Sequence, residues 1–374
     1  MRTRIVLVPA LASLALSLGA AAMAETSSWV APQVEPKAAG KPKAGSRPAA
    51  PPKRPKSPPP AAEPGADPVT KFESAPAPGS GTLGKSTAPA SGDDAAYFAF
   101  NQAQYLTALK LAEAASTKGD PQAHTLIGRI YGEGLGVSKD ERAAALWYAR
   151  GAELGDNEAA FALGLLMAEG RGVEKDRTAA AGMFERAALK GHAHANYNLA
   201  LLFLKGDGKP ENPHRAAQHL AYAAEKGIAA AQYDLATLYQ SGHGVPADAF
   251  EASRWMHRAA EQGMPAAQYE YAVMLLRGFG LNADVPKAVD YLRSAAEKGV
   301  AGAQNRLAHA MADGLRGEKN LVEAAKWRLI AKDSGIKDDT LDGLVEKLSK
   351  ADRLAAEKAA QAWRDRAAAG VSPQ

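Results

Sequence analysis

The stretch AAAQYDLATLYQSGHGVPADAFEASRWMHRAAEQGM, residues 229–264, reads as two helices joined by a glycine loop. From Ala230 to Gly242 the apolar residues fall three or four apart, the spacing of one helical face and not the alternation of a strand. Gly242 ends this helix, since glycine takes the left-handed conformation that satisfies the last carbonyls without steric cost. Asp248 is placed to cap a second helix, which closes on Gly263.

Working outward, residues 121–336 divide without insertion or deletion into six such units of 36 residues, beginning at Pro121, Asn157, Ala193, Ala229, Pro265 and Ala301. The third residue is always Ala (Ala123, Ala159, Ala195, Ala231, Ala267, Ala303) and the fourteenth always Gly (Gly134, Gly170, Gly206, Gly242, Gly278, Gly314). Ala recurs at the twenty-fourth position and Gly at the thirty-fifth, while Asp140, Asp176 and Asp284 repeat the cap of Asp248. Self-similarity at such a period marks a solenoid, in which each unit buries its apolar face against its neighbours. Alanines at facing positions let helix backbones approach, and Trp147, Trp255, Tyr291 and Trp327 are expected to fill the space left between units.

The pattern AxAQYxLAxLYxxGxGVxxDxxxAxxWxxRAAEQG, read from Ala229 to Gly263, resembles the Sel-one-like repeat, a relative of the tetratricopeptide repeat. Six in-phase copies cover 216 of 374 residues, and residues 93–120 resemble a degenerate further unit, with Leu111 and Gly119 in phase. The resemblance implies an all-α fold, a right-handed superhelix of helical hairpins (an α-solenoid) that serves as a protein-interaction scaffold and not as an enzyme.

Ahead of the repeats the composition changes twice. Residues 1–24 read as a secretory signal: Arg2 and Arg4, an apolar run from Ile5 to Leu18, and Ala22-Met23-Ala24 as a small-x-small cleavage site before Glu25. Cleavage after Ala24 places the mature chain in the periplasm or outside the cell, with no membrane span remaining. Retention of the leader as an anchor is the alternative, because Ile5 to Ala22 approaches the ~20 residues that span a bilayer.

Residues 25–92 hold 15 of the 23 prolines, with Ala, Gly, Ser and Lys making up most of the rest, a composition too poor in apolar surface to build a core. This segment is expected to act as a semi-rigid linker. Seven basic residues and no acidic one lie between Pro36 and Ala62. The leader holds two basic residues and the linker nine against five acidic, which leaves 34 basic against 36 acidic in residues 93–374. The repeats are therefore near neutral, which argues against nucleic acid as a partner. The basic linker suits a spacer, or contact with an anionic cell-wall polymer or surface.

Beyond Ile336 the period stops. Asp338 or Asp339 is expected to cap a helix carrying Leu341, Leu344, Val345 and Leu348, and Ser349-Lys350-Ala351-Asp352 has the form of a capping box that opens a last helix through Trp363. Residues 337–374 then form a C-terminal cap that covers the last apolar face and ends in a frayed tail.

The search for chemistry is short. The chain has no cysteine, which excludes disulfides, thiolate metal sites and a thiol nucleophile. Its eight histidines are scattered over the repeat and form no HExxH pair, and Glu153, Glu225, Glu261 and Glu297 share one repeat position, as a solvated structural row does. No catalytic, cofactor or metal residues are assigned.

What remains is surface. On each first helix a second apolar stripe runs through the second, fifth, ninth and twelfth positions, with Phe161, Tyr197, Tyr233 and Tyr269 at the fifth and Leu165, Leu201, Thr237 and Val273 at the ninth. By the resemblance these positions line a concave groove that takes a partner protein or peptide. Tyr197, Tyr233 and Tyr269 then supply aromatic contacts, and Arg129, Lys205 and Arg277 supply charge-assisted hydrogen bonds at its edges. Packing of the same rings between units is the competing reading. Three functions stay open: an envelope adaptor, a cell-wall-associated module that recruits a partner, and an envelope hydrolase.

Overall fold

The computed structural model describes residues 92–369; the leader, the linker up to residue 91 and residues 370–374 lie outside the described residues. Every regular element among the described residues is a helix. A first pair, α1 (Gly92–Asn101) and α2 (Tyr105–Ser116), precedes six hairpins. These are α3 (Pro121–Glu133) with α4 (Glu141–Glu153), α5 (Asn157–Glu169) with α6 (Arg177–Leu189), and α7 (Ala193–Lys205) with α8 (Pro213–Glu225). They continue as α9 (Ala229–Ser241) with α10 (Ala249–Glu261), α11 (Pro265–Arg277) with α12 (Val285–Glu297), and α13 (Ala301–Asp313) with α14 (Leu321–Asp333). Two more, α15 (Asp339–Lys347) and α16 (Lys350–Ala368), close the array. Packing runs chiefly between consecutive helices, as in an all-α solenoid, and α16 returns to pack on α14.

Local chemistry explains the identical hairpins. Each first helix ends on its fourteenth-position glycine in the left-handed conformation, with φ between 64° and 75°. The side chains of Asp140, Asp176, Asp248 and Asp284 accept from backbone N–H groups of the second helix, and Asn212 and Asn320 do so where the aspartate is missing. In all six units the backbone N–H of this cap donates to the eleventh residue of the first helix, from Asp140 to Tyr131 O at 2.9 Å through Asn320 to Met311 O at 2.9 Å. The loop is thus closed at both ends by backbone groups, so it tolerates substitution between them.

The alanines at the third and twenty-fourth positions are all buried. So are Trp255 and Trp327, while Trp147 and Tyr291 are half-buried. In the degenerate unit Gly119 keeps the left-handed conformation, and the buried in-phase residue of α2 is Ala108; Leu111 is exposed. Its helices join through a short turn in which Ala103 adopts φ 58°.

The C-terminal cap is latched by polar groups. Asp338 caps α15, accepting from Leu341 N at 3.0 Å, and also takes hydrogen bonds from Asn305 Nδ2 and His309 Nε2 of α13. Arg328, 1 % exposed, forks onto Asp342 at 2.8 and 3.0 Å and donates to Ile336 O. Burial opposes ionisation of Asp338, but its three donors outweigh it and hold the carboxyl below the usual aspartate range. The Ser349 hydroxyl accepts from Asp352 N–H, and the Asp352 carboxylate accepts from that hydroxyl, so only half of a capping box forms. In α16, Trp363 donates to Glu297 and stacks edge-on against Trp327.

One close approach sets the spacing at four of the five joints between the six units. Gly172, Gly208, Gly244 and Gly280, at the sixteenth position, are left-handed, and a Cβ at each would run into the backbone of Glu141, Arg177, Pro213 or Ala249, the first residue of the preceding unit's second helix. Gly172→Ala is expected to lower stability by about 2–4 kcal/mol in denaturant unfolding, from left-handed strain plus the clash. Gly182→Ala, inside α6 with open space around its Cβ, should raise stability by up to about 1 kcal/mol. Equal effects would remove this contact from the account.

Candidate protein-interaction face

The fifth-position rings of the first helices form a row that is packed and polar-edged at once. Phe161, Tyr233 and Tyr269 are buried, the tyrosines 6 % and 4 % exposed, and Tyr197 is half-buried. Phe161 stacks on the His192 ring with centroids 4.4 Å apart. The hydroxyls reach the next unit: Tyr197 OH donates to Asp234 at 3.2 Å, and Arg306 Nε donates to Tyr269 OH at 3.0 Å. Both partners are sixth-position residues, so the ring fills the joint between units while its hydroxyl meets a row of charges beside it.

Glu270 lies between them in that row. Burial raises its carboxyl above the usual glutamate range, opposed by the charges of Arg306 and Arg277. Arg277 is exposed at the end of α11. Lys205 is half-buried at the end of α7, and burial, then the charge of Arg177, push its amine down to about 8. Arg129 is held more firmly, its Nε 2.8 Å from Glu133 and its guanidinium 4.9 Å over the Phe100 ring. Tyr233, Tyr269 and Arg277 thus share three consecutive units with Asp234, Glu270 and Arg306, whereas Arg129 belongs to the first unit and Lys205 and Tyr197 to the third.

Other contacts between units escaped the pattern reading. The buried fourth-position glutamines Gln232, Gln268 and Gln304 donate from Nε2 to Ala224, Ala260 and Ala296 carbonyls of the preceding unit, at 3.0, 3.2 and 3.1 Å. Recurrent Ala-Gln at positions three and four was the signal. Lys190 and Lys298 likewise reach back to the carbonyls of Gly155 and Gly263. His192 has a structural part: its Nδ1 accepts from Ala195 N–H as the cap of α7, and its Nε2 lies 3.0 Å from Glu158. Among the described residues no group of three or more His, Asp or Glu is placed to hold a metal, and no helix is long and apolar enough to cross a membrane.

Comparison with known proteins bears on these units directly. The Sel1 repeat model matches residues 121–156, 157–192, 193–228, 229–264, 265–300 and 301–335. A Sel1 repeat protein from Oxalobacter formigenes is similar in structure, with TM-score 0.57 and 29% identity, covering 67% of this chain and 100% of that one. So is c5321, a protective antigen of uropathogenic Escherichia coli with an SLR fold, at TM-score 0.50 and 25% identity, covering 71% and 66%. No curated protein matches.

The burial of the tyrosine ring separates two variants. Tyr233→Ala should cost about 3 kcal/mol of stability by leaving a cavity between units, whereas Tyr233→Phe should cost about 1 kcal/mol or less. Denaturant unfolding of both checks this, and a negligible cost for Tyr233→Ala would return the ring to the surface.

Proposed function

Because the chain belongs to the Sel1 repeat family, we propose that it is a non-catalytic scaffold of the cell envelope that holds a partner protein or peptide in the groove formed by its first helices. Repeats of this family mediate protein–protein interactions. The observation that carries the reading here is the charged row Asp234, Glu270 and Arg306, with the charge of Arg277 acting on Glu270, beside a packed line of tyrosines. Such a face offers fixed charges on a rigid backing, which favours orientation of a partner over bulk adhesion. Tyr197, Tyr233 and Tyr269 act in it mainly through their hydroxyl edges, and Arg277 and Lys205 through charge.

The leader and the basic linker support export with cleavage after Ala24, and a linker that spaces the solenoid from an anionic surface. Sequencing the mature N-terminus decides the first point; an intact Met1 in the membrane fraction would make the leader an anchor. Crosslinking in the native cell followed by mass spectrometry identifies the partner. Crosslinks confined to residues 25–92 would instead favour the cell-wall module.

Lys205 makes the groove testable through pH. An arriving carboxylate favours the charged amine, so association takes up a proton and weakens as pH rises through about 8. The expected result is tighter binding of the captured partner at pH 7 than at about pH 9, with the difference lost in Lys205→Met. An unchanged pH dependence in Lys205→Met removes this residue from the site.

A further inference from the structure

The joint between the first two repeat units differs from most of the others. A hollow of about 670 Å³ opens there between α4, α5 and the loop after α5. Leu146 and Ala149 of α4, Leu163 and Met167 of α5, and the charged Arg142 and Glu174 are among the residues that line it. Leu146 is 70 % exposed, at a position where the later units carry Gly182, Gln218, Arg254, Asp290 and Lys326.

The repeat itself supplies the control. Ala149 occupies the twenty-ninth position, and at three of the other joints this position reaches into the next unit. Glu185 pairs with Lys209 at 2.9 Å, the His257 ring packs 4.7 Å from Tyr271, and Arg293 pairs with Glu323 at 2.8 Å. Alanine fills none of that volume, and Gly182, the next unit's counterpart of Leu146, leaves open space around its own Cβ. Ala149 thus leaves at this joint the space that larger side chains take at those three, and the apolar side chains of Leu146, Leu163, Met167 and Val173 face it, a lining that water wets poorly.

Its charges say what fits. Arg142 and Glu174 line one hollow, yet among the described residues neither side chain makes an ion pair or a hydrogen bond. Opposite charges that line one cleft without pairing are both left for an occupant to meet. The complementary occupant carries one apolar side chain flanked by an acid that faces Arg142 and a base that faces Glu174.

We propose that this hollow is a docking site for an extended segment of a partner protein presenting an aliphatic residue between an acidic and a basic one. The proposal rests on the scaffold reading and adds a second face to it, distinct from the first-helix groove. In an extended segment, residues two apart lie about 7 Å apart on one side, so an acid, a leucine and a base at alternate positions share one edge.

The absence of cysteine makes the test clean. Leu146→Cys in the full chain places a single thiol on the rim, and its rate of maleimide labelling is followed with and without the peptide acetyl-Ala-Asp-Ala-Leu-Ala-Arg-Ala-amide. At about four times its Kd the peptide should slow labelling about fivefold. Peptides with Ser for Leu, or with two acids or two bases as flanks, should slow it much less. In the Arg142→Glu background, whose fold is checked by circular dichroism, the peptide with two basic flanks should become the better protector. No protection by the Asp-Leu-Arg peptide, or equal protection by all of them, overturns the proposal. Labelling already slow without peptide at every protein concentration would assign the hollow to the chain's own segment, and slowing with protein concentration to a second copy; either result also overturns it. Such failure leaves the scaffold reading intact, since crosslinks to the first-helix groove are read separately.

Discussion

The spacing of the array depends on a contact made without side chains. At the sixteenth position a left-handed glycine lays its backbone on the first residue of the preceding unit's second helix, at Glu141, Arg177, Pro213 and Ala249 in turn. A Cβ at any of these four glycines would meet that backbone, whereas the joint to the last unit, with Arg316 at the sixteenth position, is made without this contact. The alanines at the third and twenty-fourth positions extend the same constraint along the helices, where small residues allow close backbone approach. With the spacing set by backbone, the larger side chains are free to vary so long as they fill the joint.

That division separates structural from functional positions. Contacts that recur from unit to unit, such as the fourth-position glutamines bonding to Ala224, Ala260 and Ala296, hold neighbours together and address nothing outside. Departures from the repeat carry the information: Glu270 in place of its neighbours' other side chains, Arg306 on the Tyr269 hydroxyl, and Ala149 at the first joint. Because each unit contacts mainly its neighbours, a local departure costs local stability and leaves the rest of the stack in place.

Much of this was legible in the sequence, because repetition and helix capping are local. The turn glycines, the caps at Asp140, Asp176, Asp248 and Asp284, the cap of α15 by Asp338 and the start of α16 at Ser349 each follow from a few adjacent residues. The degree of burial of Tyr233 and Tyr269 was not legible. A stripe pattern shows that a face is apolar, but the next unit decides how much of it stays open. Arg328 forking onto Asp342, and Lys205 beside Arg177, depend on side chains from different helices, which no periodicity encodes. In residues 93–120 the eye falls on Leu111, whereas the small Ala108 marks the phase, since the joint there selects for absence of bulk.

If the joints are interchangeable because backbone contacts set them, a whole unit can be removed. Deletion of residues 193–228, one full period, should leave a chain whose circular dichroism per residue matches the parent and which still unfolds cooperatively at a lower midpoint. Loss of helix signal and of the cooperative transition after this in-phase deletion would contradict the claim that one repeated joint holds the structure together.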